Sequence, residues 1–93
     1  MSTDPAASFR AAAESAQAAA GIIAARHRGD LASADALLAG LSDAEKAAGF
    51  LFLADLAVTL LARYEDRPAD AVAAELSLLI ATHSSATPDG GLQ

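Results

Sequence analysis

The stretch GFLFLADLAVTLLA, residues 49–62, limits the possible folds more than any other part of this chain. It lies inside a segment opened by Ser42-Asp43-Ala44-Glu45, an S-x-x-E pattern in which serine and glutamate can each satisfy the other's backbone N–H. The segment ends before Pro68, because proline disfavours helical geometry in the residue ahead of it. A helix is therefore predicted over 43–65, about 34 Å long at 1.5 Å per residue. On it Asp55, Thr59, Arg63 and Asp66 recur at three-to-four spacing and form one narrow polar strip, joined upstream by Ala48 and Phe52. Phe50, Leu51, Leu53, Leu56, Val58, Leu60, Leu61 and Tyr64 occupy more than half of the circumference, far beyond the roughly 100° stripe of a one-sided helix. Such a helix has to be covered from several directions. This longest apolar stretch contains Asp55 and falls short of the roughly 20 residues a bilayer requires, so the expectation is a core helix of a soluble protein and no membrane partner.

The remaining chain supplies three possible covers. Asp4-Pro5 is a favourable helix opening, since Asp accepts orphan N–H bonds and Pro gives up a donor that has no partner there. It predicts a helix over 5–28, with Phe9, Ala13, Ala16, Ala20, Ile23 and His27 as its buried stripe and Arg10, Glu14 and Gln17 toward solvent. Gly29 ends that helix, Arg26, His27 and Arg28 suit its negative end, and Asp30 can cap the next. A short helix follows over 31–40, carrying Leu31, Ala34, Leu37 and Leu38 on one side with Leu41 just beyond. Asp66 and Pro68 open a fourth over 68–83, with Val72, Leu76, Leu79, Ile80 and His83 facing inward. The remainder, SSATPDGGLQ, reads as a disordered C-terminal tail. The predicted fold is all-α, a compact bundle of four helices in a single domain over 1–83, followed by a flexible tail over 84–93.

Composition decides whether three such covers suffice. Apolar residues make up 54% of the 93, yet only three Phe and one Tyr are aromatic, so the core must be built from aliphatic side chains and above all alanine. Alanine favours helix but removes little area from water. The long helix then keeps oily surface that its companions cannot hide, and self-association through 43–65 is the expectation, most simply as a homodimer. The interaction residues so predicted are Phe50, Phe52, Leu53, Asp55, Leu56, Thr59, Leu60 and Arg63. The alternative is a regulatory inhibitor or antitoxin-like protein, conceivably phage-encoded, that binds a different protein.

Catalysis, cofactor binding and metal binding find no support in the sequence. There is no cysteine and no G-x-S-x-G turn, and His27 and His83 have no helical partner at metal-ligand spacing. Asp55 is the best candidate for a buried charge, with Arg63 or an arginine of a neighbouring helix as the partner it would need, and a solvated or ion-paired strip is the plainer reading of the same residues. The net charge of −6 repels phosphate backbones, and the lone basic cluster at residues 26–28 is too small to overcome it, so no nucleic-acid partner is expected. Cysteine-free composition and a start without a basic-then-apolar signal predict a cytoplasmic, non-enzymatic protein. Five arginines against one lysine, with abundant alanine, suit GC-rich coding DNA of a bacterium or phage.

Overall fold

A computed structural model describes residues 4–86. Within them the chain is all-α, with α1 (Pro5–His27), α2 (Leu31–Ala39), α3 (Asp43–Glu65) and α4 (Ala69–Ala86) in chain order. No strand occurs among the described residues. The first three helices match their predicted bounds within a residue. The fourth begins one residue late and continues through Ser84, Ser85 and Ala86, because neither glycine nor proline interrupts the chain there. The rest of the predicted tail, 87–93, lies outside the described residues. The chain divides inside α3 into two units, Met1–Leu56 and Ala57–Gln93.

In the first unit four helix ends are closed by the residues expected to close them. The Ala6 N–H donates to Asp4 Oδ1 at 3.1 Å. Gly29, at φ +80°, takes the left-handed turn that ends α1, with its N–H on the Arg26 carbonyl at 3.0 Å and the Asp30 N–H on the Ala25 carbonyl at 2.9 Å. Asp30 then caps α2 by accepting from the Ser33 N–H at 3.2 Å. Ser42 and Glu45 form the reciprocal pair at the start of α3, at 2.8 and 3.1 Å.

The buried face of α1 differs from the predicted stripe. Ser15, Ala16, Ala19, Ile22 and Ala25 are buried, whereas Phe9 and Ile23 are exposed, as are Ala20 and His27. The reason is steric. At Gly49 of α3 a Cβ atom would stand 2.5 Å from the Ser15 carbonyl oxygen and 2.7 Å from its carbon, so only a side-chain-free residue lets the two backbones come this close. That approach needs the small residues of α1 on the inside. Ile22, Ala25 and Ala34 form the core next to it, with Leu38, Leu41 and Phe50 packed against them.

The second unit is an αα-hairpin made from the end of α3 and α4. Its buried side chains are Ala62 and Val72, with Val58 and Leu76 half-buried. The turn repeats the bonding of Gly29: the Asp66 N–H reaches the Arg63 carbonyl at 3.2 Å, and the Arg67 N–H reaches that of Ala62 at 2.9 Å. Here the left-handed position is held by Asp66, at φ +56°. Asp66 thus ends α3 and does not cap α4, a role that passes to the Pro68 carbonyl, which accepts from Ala71 and Val72. Arg67 ties the turn together by donating to Glu65 Oε1 at 3.0 Å and to Glu75 Oε1. These two bonds raise the pKa of the guanidinium above its ordinary value.

Three outcomes follow from this geometry and are read by chemical denaturation. Gly49→Ala should lose about 2 kcal/mol through overpacking against the α1 backbone. Gly21→Ala, where the new methyl would meet only Leu37 Cδ1 at 3.8 Å, should gain about 0.5–1 kcal/mol of helix propensity. Asp66→Gly should gain about 1 kcal/mol by removing the left-handed penalty. Asp30 gives a fourth outcome. The Ser33 side chain, then its N–H, then Arg28 hold the carboxylate pKa below 3.8. Its contribution to stability is therefore complete above about pH 4 and is lost as pH falls through the lower folded value. An NMR titration should place Asp30 below an ordinary aspartate, and Ser33→Ala should move it upward.

Candidate functional site

The residues predicted for interaction are distributed around α3 according to its period. Phe50 points about 160° away from Phe52 and packs against the core of α1 and α2, so it belongs to the interior. Phe52 and Leu53 are half-buried, and with Leu56 they form one wall of a groove in the first unit. The other wall is Ala13, Ala16, Gln17 and Ala20 of α1. The small residues that permit the close helix crossing also leave this hollow, since three alanines cannot fill the space beside a phenylalanine and two leucines. Phe9 lies against the Phe52 ring, with centroids 5.6 Å apart and planes tilted by 54°.

The groove measures about 240 Å³, below the roughly 300–1,000 Å³ typical of small-molecule sites, and none of its lining side chains is titratable. It has room for one or two apolar side chains. The turn of the second unit carries a more open hollow of about 480 Å³ lined by Thr59, Arg63, Asp66 and Arg67. Arg67 is already engaged there by its two glutamates. Among the described residues no group of three or more His, Cys, Asp or Glu is placed to hold a metal ion.

Asp55, Thr59 and Arg63 are exposed. Of the two readings of Asp55, a buried paired charge and a solvated strip, the exposure agrees with the second: α3 turns that side chain outward. No ion pair within the described residues includes Asp55 or Arg63. Leu56 and Leu60 stand beside this row, 47% and 53% exposed. Leu51 and Tyr64, counted on the apolar circumference of α3 but left out of the predicted interaction residues, are 65% and 87% exposed. On α4 the predicted inward stripe is corrected: Val72 is buried and Leu76 half-buried, but Leu79, Ile80 and His83 are exposed, as is Leu78, which the stripe did not include. The signal was present in the run LSLLI, because three consecutive apolar residues cannot share one face of a helix.

No family model matches this chain. No curated protein and no solved structure matches it either.

By length and composition α3 could also cross a membrane, and only 11% of its most apolar window is buried. Asp55, however, stands next to the midpoint of that helix, where an ionised carboxylate costs about 2.5–3.5 kcal/mol in a bilayer.

The groove wall is open to a direct check. A double-mutant cycle of Phe9→Ala and Phe52→Ala, read by urea unfolding, should give a coupling of about 0.5–1 kcal/mol, as expected for a tilted aromatic pair with one ring largely in water.

Proposed function

We propose that this chain is a small acidic interaction module that self-associates through α3 and works in the cytoplasm without catalysing a reaction. The observation that carries this reading is the exposure of Leu51, Leu56, Leu60, Leu61 and Tyr64 along one helix. Burying a leucine side chain fully contributes about 1.5–3 kcal/mol, so the exposed halves of four leucines amount to several kcal/mol of available association energy. A closed symmetric pair is the most economical cover, because the same surface serves on both partners. Insertion of α3 into a bilayer is the competing reading, favoured by its length and hydropathy and opposed by the mid-helix carboxylate.

Light scattering after size exclusion should return twice the 9.3 kDa chain mass at tens to hundreds of micromolar protein. The combined change Leu56→Ser and Leu60→Ser should return a single chain with unchanged helical circular dichroism. Tyr64 is the only tyrosine and tryptophan is absent, so acrylamide quenching of its fluorescence should weaken as concentration rises. A particle that stays monomeric at every concentration would overturn the reading. Flotation with neutral phosphatidylcholine vesicles would favour the bilayer instead.

A further inference from the structure

The exposed row on α3 is self-complementary. Asp55 and Arg63 stand four residues either side of Thr59, with opposite charges at equal distances from it. Each is about 6 Å from Thr59 along the axis and about 12 Å from the other, too far apart to pair within one helix. Neither is engaged in an ion pair among the described residues. The adjoining row of Phe52, Leu56 and Leu60 is apolar and partly or largely exposed.

We infer that the partner of this face is a second copy of the chain, with the two α3 helices antiparallel and a two-fold axis passing at Thr59. This rests on the self-association reading above and adds to it a direction and a register. A two-fold axis at Thr59 brings Asp55 of each copy to the height of the partner's Arg63, forming two ion pairs that bracket the apolar contact. Rows spaced by four residues drift around a helix, and two such rows interdigitate when the axes cross at about −50°, the commonest helix-packing class. A parallel pair would instead set Asp55 against Asp55 and Arg63 against Arg63, which like-charge repulsion disfavours. Charge complementarity thus selects one of the two orientations.

Charge reversal tests this in the intact chain. Asp55→Arg alone sets an arginine at position 55 against Arg63 of the other copy, and Arg63→Asp alone sets aspartate against aspartate. Each should weaken the homodimer by about tenfold or more at low salt. The double variant should recover the dimer constant of the original chain. An equimolar mixture of the two single variants should form a heterodimer tighter than either homodimer, a result no pairing within one chain could produce.

Because the chain has no cysteine, cross-linking gives a second measurement. Under mild oxidation Thr59→Cys should form a covalent dimer, as should a mixture of Asp55→Cys with Arg63→Cys, while Asp55→Cys alone should not. Dimers whose strength is indifferent to all the charge reversals, or an Asp55→Cys chain that links to itself, would overturn the antiparallel register and leave self-association standing. A monomeric original chain, or a one-to-one complex with a different protein on this face, would overturn both.

Discussion

The first unit depends on the approach of two backbones at Ser15 and Gly49. With the Gly49 Cβ position only 2.5 Å from a carbonyl oxygen, α1 and α3 come together where any side chain would hold them apart. That spacing dictates what surrounds it. At the crossing the inward residues of α1 are Ser15, Ala16 and Ala19, Ile22 enters the core further along, and Phe9 and Ile23 turn outward. The same smallness leaves the groove beside Phe52, Leu53 and Leu56 unfilled. Close packing of backbone and incomplete packing of side chains are two effects of one constraint.

A chain built in this way buries alanine and displays leucine. Ala16, Ala19, Ala25, Ala34 and Ala62 are in the interior, while Leu51, Leu56, Leu60 and Leu78 face water. Close helix packing then contributes through dispersion where side-chain burial is small, and hydrophobic area that a larger protein would place in its core is exposed. The polar row of Asp55, Thr59 and Arg63 interrupts that area with two opposite charges, the kind of feature by which an apolar surface can distinguish one orientation of a partner from another.

Helix ends were the most legible feature of the sequence because they depend on residues a few positions apart. Asp4, Gly29, Asp30 and the Ser42–Glu45 pair all close the ends that local chemistry assigned to them. Asp66 was misread because two local rules competed: aspartate is both a good cap and one of the few side chains that tolerate a left-handed backbone. Faces were less legible. On α1 the alanines are spread so evenly that a rotation of one residue leaves the apolar pattern almost unchanged, and the crossing at Gly49 decides the matter from outside the helix. On α3 the polar strip was visible, but its place in the structure was not, since an aspartate among leucines reads equally as a paired interior charge or a solvated edge.

Among the described residues the hairpin fully buries only Ala62 and Val72, which bears on how this unit responds to temperature. The heat-capacity change of unfolding scales with the apolar surface newly hydrated, and an alanine with a valine contributes little of it. A small heat-capacity change flattens the free-energy curve, so the unfolding enthalpy of this unit should vary little with temperature.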